Sequence, residues 1–99
     1  MEELRADALF GVAGKTVLVT GGATGIGLMI AAGFVANGAR VYVASRSLET
    51  CEAVAARLTA EGPGQCFALS GDLSSEQGCV NLAVALRTKE ERLHVLVNN

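Results

Sequence analysis

A chain of 99 residues with 51% hydrophobic content has room for one domain, or part of one. Eight Lys and Arg against ten Asp and Glu leave a net charge of -2, so no basic field draws a nucleic-acid backbone or an anionic membrane surface. Aromatic residues make up only 4% and proline occurs once, which removes the material for base-stacking platforms and proline-rich recognition segments.

The N-terminus, with Glu2, Glu3, Arg5 and Asp7, lacks the basic start and apolar run of a secretory signal, and the expected location is the cytoplasm. After this polar, surface-lying lead-in, Thr16-Val17-Leu18-Val19-Thr20 has the β-branched, apolar character of a strand buried on both faces. A glycine-rich turn from Gly21 to Gly27 follows. Ile26, Met29, Ile30, Gly33 and Phe34 then recur at helical spacing until Asn37-Gly38 supplies a left-handed stop. The apolar stretch from Gly21 to Ala36 is shorter than the ~18 residues of a spanning segment, so it reads as a buried helix and no membrane span is expected.

Val41-Tyr42-Val43-Ala44 is the second strand, broken by Ser45-Arg46-Ser47, with Ser47 as the N-cap of the next helix. Leu48, Cys51, Val54, Ala55 and Leu58 form the apolar face of that helix, which Glu61-Gly62-Pro63-Gly64 ends. A third strand covers residues 65–69. Gly71-Asp72-Leu73 turns the chain, and Ser74 with Gln77 forms a capping box ahead of Val80, Ala83, Val84 and Leu86. Gly78 costs this helix about 1 kcal/mol, which the cap offsets. Arg87, Lys89, Glu90, Glu91 and Arg92 read as a solvated helix end, and Leu93-His94-Val95-Leu96-Val97 as the fourth strand. His94 has no cysteine or acid at ligand or triad spacing and is read as structural. Cys51, Cys66 and Cys79, odd in number and widely spaced, fit neither a disulfide framework nor a zinc site and are read as small packing residues.

Strict strand–helix alternation with single crossovers implies a parallel sheet with helices on both faces. At the first strand-to-helix turn, Gly21 permits a tight backbone, Gly25 lets a phosphate approach and Gly27 lets the helix pack close. The helix start offers free N–H groups and a positive dipole end, so a pyrophosphate needs no basic side chain there. No Gly-Lys-Ser/Thr follows, which disfavours a mononucleotide P-loop. The expected fold is a doubly wound α/β sheet of the Rossmann type, strand order 3-2-1-4, incomplete after its fourth strand. Residues 1–99 are expected to be the N-terminal part of a single dinucleotide-binding domain, which the resemblance given below narrows to NAD(P), and an unpaired fourth-strand edge suggests a piece of a longer protein.

The spacing Thr20-Gly21-x-x-x-Gly25-x-Gly27, followed by Asp72-Leu73 and Asn98-Asn99, resembles the short-chain dehydrogenase/reductase family over nearly the whole chain. Within it, the lead-in and residues 93–99 look closest to bacterial NADPH-dependent 3-oxoacyl reductases. The resemblance implies a nicotinamide dinucleotide held by Gly21, Thr24, Gly25, Ile26 and Gly27. It also implies that Asp72 accepts from the adenine amino group while the Leu73 N–H serves a ring nitrogen. Asn98 and Asn99 match the start of an Asn-Asn-Ala-Gly motif that lies beside the adenosine ribose and braces the sheet; the Ala-Gly is not in the chain. The bland reading of Asp72 is a turn aspartate near a helix N-terminus.

The exit of the second strand, about 20 residues after the glycine turn, lies beside the ribose 2'-position. An acid there would accept from a 2'-hydroxyl; Ser45 and Arg46 instead offer a hydroxyl and a guanidinium fork suited to a 2'-phosphate, favouring NADP(H) over NAD(H). The competing reading of Arg46 is an ordinary solvated loop arginine. Thr24 is a departure, because many NADP-preferring relatives carry a basic residue there.

The resemblance implies hydride transfer between nicotinamide and a carbonyl or alcohol, with 3-oxoacyl thioesters among the candidates, using a serine and a Tyr-x-x-x-Lys pair. None of these is assignable here: the sole tyrosine, Tyr42, has Arg46 where the lysine would stand. No catalytic or metal residue is assigned, the 99-residue chain alone is expected to be inactive, and homo-oligomerisation belongs to the complete protein. Two other readings stay open. One is a non-catalytic dinucleotide-binding regulatory module; the other is an S-adenosylmethionine-dependent methyltransferase, against which the missing acid at Ala44-Ser45-Arg46 speaks.

Overall fold

The computed structural model describes residues 11–99, and most of the expected surface lead-in lies outside them. Strands β1 (Thr16–Thr20), β2 (Arg40–Ser45), β3 (Gln65–Ser70) and β4 (Val95–Asn98) alternate with helices α1 (Gly25–Ala36), α2 (Leu48–Glu61) and α3 (Glu76–Arg87). All strand pairs are parallel and the sheet order is β3-β2-β1-β4, as the crossover rules require. In register, Val17 lies between Val41 and Val95, and Leu18 between Tyr42 and Leu96.

Alternation along β1 and β2 divides the core in two. Val17, Val19, Val41 and Val43 meet Ala31 and Val35 of α1 and Cys51, Val54, Ala55 and Leu58 of α2. Leu18, Tyr42 and Ala44 point to the other face, where Leu82 and Leu86 of α3 close over Leu69. β1 is buried throughout, which is why it reads as one apolar run. Among the described residues, no helix is long and apolar enough to cross a membrane.

The helices depart from the sequence reading in which face they bury. α1 hides Gly27, Ala31 and Val35, while Ile26 and Met29 are 69% and 73% exposed; Ile30 and Phe34 only pack at the margin. The helix is apolar on nearly every side, so its periodicity carries no direction, and its small residues win the sheet because they permit close approach. α2 follows expectation except Leu48, its exposed first residue, and Ser47 caps it by accepting from the Thr50 N–H at 3.3 Å. α3 buries Leu82 and Leu86 but exposes Val80, Ala83 and Val84. Its cap is Ser75, accepting from the Gly78 N–H at 3.0 Å, rather than Ser74. Gly78 has a positive reason to be there: a Cβ would stand 1.8 Å from the Asp72 carbonyl oxygen. Cys51 and Cys66 are buried as expected, whereas Cys79 is exposed and is not a packing residue.

The N-terminal ends of the strands carry a network that charge patterning does not show. Glu90, far from solvated, is 12% exposed in its side chain and accepts from Arg40 Nη2 at 2.6 Å, Arg40 Nε at 3.1 Å and the Tyr42 hydroxyl at 2.6 Å. Its other oxygen accepts from Thr16 Oγ1 at 3.2 Å. Arg40 also donates to Gln65 Oε1 at 3.0 Å and lies 5.0 Å from the centroid of Phe67, itself stacked on Tyr42. β4 begins at Val95, so His94 stands just outside the strand. There its Nδ1 accepts from the Thr16 N–H at 2.9 Å, substituting for a ladder carbonyl, while its own N–H donates to Thr16 O.

Candidate functional site

At the opposite, C-terminal edge of the sheet, the chain leaves each strand toward the start of the next element. The turn after β1 is built by backbone geometry. Gly21 has φ +66°, which a side chain would disfavour by about 1–2 kcal/mol, and its N–H donates to the Ala44 carbonyl at 2.8 Å, folding the turn onto the end of β2. At Gly27 a Cβ would lie 2.1 Å from the Gly21 carbonyl oxygen, so α1 seats against the turn at backbone distance. At Gly25 a Cβ would have nothing within 4 Å, leaving open space beside the start of α1. One glycine bends, one clears and one packs.

The start of α1 differs from the other two. Ser47 and Ser75 each occupy a first-turn N–H of α2 and α3, with Glu49 and Glu76 nearby in those first turns. Thr24 is extended (φ -144°, ψ 160°) and makes no side-chain cap, and α1 has no acid in its first turn. Thr24, Gly25 and Ile26 are exposed. Uncapped N–H groups at the positive end of a helix dipole form an anion cradle, and neither a competing carboxylate nor a Cβ obstructs this one.

Asn98 and Asn99 converge on the same turn. The Thr20 hydroxyl lies 3.2 Å from Asn98 Oδ1 and 3.3 Å from Val97 O, and accepts from the Asn99 N–H at 3.1 Å; Asn99 Nδ2 reaches Gly21 O at 3.4 Å. Thr20 opens the glycine motif in the sequence, but the motif alone assigns its hydroxyl no partner. Its signal is a hydroxyl closing a buried strand, since a residue only 7% exposed must find partners for that group.

The exits of β2 and β3 stand side by side, joined by the Gly71 N–H donating to Ser45 O at 3.0 Å. Ser45 is half-buried and Arg46 exposed. Asp72 is exposed, with Oδ1 accepting from the Ser74 hydroxyl at 2.5 Å and from the Ser74 N–H at 3.0 Å. This engagement explains why Ser74 is not the cap of α3. The two Ser74 donors, the hydroxyl first, hold the Asp72 carboxyl below the usual carboxylate range, and the positive charge of Arg46 adds to the shift. Leu73 packs at the edge of the α3-side core. The residues expected at the site thus fall into two groups, one around Thr20 and the glycine turn, the other at Ser45, Arg46 and Asp72.

Tyr42 belongs to neither group. Burial first, then its hydrogen bond to Glu90, pushes the phenol up to about 12, and its hydroxyl is engaged at the far end of the sheet.

A parallel sheet ordered 3-2-1-4, with a glycine turn delivering an uncapped helix at its C-terminal edge, defines the Rossmann class of α/β proteins. The family model of the short chain dehydrogenase matches residues 15–99, and the chain belongs to that family. A rhamnolipids biosynthesis 3-oxoacyl-[acyl-carrier-protein] reductase of Pseudomonas aeruginosa is 50% identical over 90 residues, covering 91% of this chain and 34% of that protein. Among solved structures, a Pseudomonas aeruginosa RhlG/NADP active-site complex superposes with a TM-score of 0.83 at 50% identity, over 88% of this chain and 34% of the other. A 3-oxoacyl (acyl-carrier-protein) reductase from Agrobacterium tumefaciens C58 with NADP bound gives a TM-score of 0.85 at 31% identity, over 97% and 36%. The chain therefore spans about a third of the length of these relatives. The family match sets aside the methyltransferase reading.

Proposed function

We propose that these 99 residues are the NADP(H)-binding, N-terminal part of a single Rossmann domain in an oxidoreductase acting on a carbonyl or alcohol, with 3-oxoacyl thioesters as the substrate class. The observation that carries the reading is the start of α1, uncapped, free of acids and clear of side chains at Gly25. The N–H groups from Thr24 to Gly27 would hold the pyrophosphate, with Gly21 shaping the turn. Asn98 and Asn99 would brace the ribose side. Ser45 and Arg46 would take the 2'-phosphate, and Asp72 with the Leu73 N–H the adenine. The cofactor, when bound, supplies or accepts the hydride. Everything these residues do is to bind it and fix its adenosine half.

NADP complexes of relatives at 50% and 31% identity support the choice of cofactor, and the reductase relative supports the substrate class. The cytoplasm is the proposed compartment, in keeping with Cys51, Cys66 and Cys79 as free thiols. Calorimetric titration tests the reading. NADPH is expected to bind about ten- to hundredfold tighter than NADH, with the difference lost in Arg46→Ala. Equal affinities, or a preference that survives Arg46→Ala, would overturn the cofactor assignment. The purified chain is expected to show no NADPH-dependent ketone reduction.

A further inference from the structure

Ser45 closes β2 at the corner that presents Arg46, and its hydroxyl oxygen has three close neighbours. The Ser47 N–H donates to it at 3.3 Å, the Ser47 carbonyl oxygen lies at 3.4 Å, and the Cys51 sulfur lies at 3.1 Å. A serine hydroxyl has one proton and two lone pairs, so its neighbours decide whether it can offer a donor, an acceptor or both to a ligand. Cys51 is fully buried in the first turn of α2, where its backbone N–H donates to Ser47 O at 3.1 Å, so the helix rather than the loop sets where its thiol stands. The Ser47 carbonyl, 3.4 Å away and so beyond the usual O–H···O range of about 2.5–3.0 Å, is a weak destination for the Ser45 proton.

We propose that Cys51 is a positioning residue for cofactor specificity: its buried thiol donates to Ser45 Oγ, and with the Ser47 N–H fills both lone pairs, leaving the Ser45 proton free to donate toward the cofactor's 2'-phosphate. The inference rests on the NADP(H) reading given above. A phosphate dianion only accepts, whereas a ribose 2'-hydroxyl also donates and benefits from a free serine lone pair. Filling both lone pairs therefore favours the phosphate and disfavours the hydroxyl. Arg46 supplies charge, Ser45 a directed donor, and Cys51 the direction without touching the ligand. The Gly71 N–H on Ser45 O holds the same residue from the β3 side.

The test compares adenosine 2',5'-bisphosphate with AMP by calorimetry, so that only the 2'-phosphate differs between the two ligands. The wild-type chain is set beside Cys51→Ser, Cys51→Val, Cys51→Ala and Arg46→Ala. Cys51→Val and Cys51→Ala are expected to lower the bisphosphate-to-AMP preference by about three- to tenfold. Cys51→Ser, which restores a donor, is expected to keep the preference within about twofold. Because the readout is a ratio on one sample, a fraction of unfolded chain cancels from it. Retention of the wild-type ratio in Cys51→Val and Cys51→Ala, or an equal loss in Cys51→Ser, overturns the inference. A preference abolished by Arg46→Ala but untouched by the cysteine variants sinks this inference alone; a wild-type chain with no preference sinks the NADP(H) reading with it.

Discussion

The two ends of the sheet solve opposite problems with the same backbone. At the N-terminal end, Glu90 gathers Arg40, Tyr42 and Thr16, Gln65 joins through Arg40, and His94 completes the ladder at Thr16. Side chains there satisfy one another. At the C-terminal end, α1 begins without a cap, and Thr24 to Ile26 and Arg46 are exposed. One end spends its polar groups on holding strands together; the other also ties Thr20 to Asn98 and Asn99, but keeps the first N–H groups of α1 and the Arg46 side chain available. The lesson is that a parallel sheet can be pinned from below so that its upper edge is left for a ligand.

The most severe way to break this division is Gly27→Ala. A Cβ 2.1 Å from a backbone oxygen has no flexible neighbour to yield, so α1 must lift from the turn. Destabilisation of about 2–4 kcal/mol is expected in urea unfolding, with loss of nucleotide binding in whatever remains folded.

Next comes the pinned end. Glu90→Gln is expected to cost about 1.5–3 kcal/mol, because it removes charge-assisted hydrogen bonds and leaves Arg40 without its ion pair. The pH dependence has two limbs. Arg40 chiefly, then Tyr42, hold the Glu90 carboxyl below its unfolded value of about 4.3. The contribution of Glu90 is therefore whole above that pH and drains as pH falls through the folded value. The Tyr42 phenol, about 10 when unfolded and about 12 when folded, keeps its proton longer in the native chain. Stability accordingly declines as pH rises from about 10 toward 12. Unfolding midpoints across pH check both limbs, and Glu90→Gln is expected to flatten the acidic one. A wild-type acid limb that persists in the variant would assign it to other carboxylates.

The smallest effect sharpens the comparison from the open end. Thr24→Asp gives α1 the kind of cap its sister helices have, and is expected to stabilise the fold by about 0.5–1 kcal/mol while weakening pyrophosphate-containing ligands by about tenfold or more. A variant that gained stability yet bound nucleotide unchanged would show that the start of α1 does not hold the phosphates.

How much of this was legible beforehand varied with the kind of signal. Strands β1 and β2 were plain, because their apolar runs are short, rich in β-branched residues and bounded by glycine or polar breaks, as a strand buried on both faces requires. The glycine turn was legible because each glycine answers a separate backbone demand. The buried side of α1 was not, since Ile26, Met29 and Ala31 are all apolar and only the proximity of Gly27 to Gly21 selects among them. Ser74 and Ser75 are equally able to cap, and the choice fell to the competing attraction of Asp72. Glu90 sat within a run of charges, and its partners Arg40 and Thr16 lie 50 and 74 positions away, a pairing that only the folded sheet creates. The division of the site into two groups, and the thiol behind Ser45, likewise depend on neighbours brought together by topology.

The Thr20 hydroxyl has a consequence for cooperativity. Among the described residues β4 pairs with β1 alone, and its far end is tied through Thr20 to the bend at Gly21. Opening of that bend and fraying of β4 are therefore one local unfolding event rather than two, with a shared free energy of exposure. Whatever settles on the bend raises that free energy by mass action, so amide exchange would slow along Val95 to Val97 as well as at the asparagines beside the ligand.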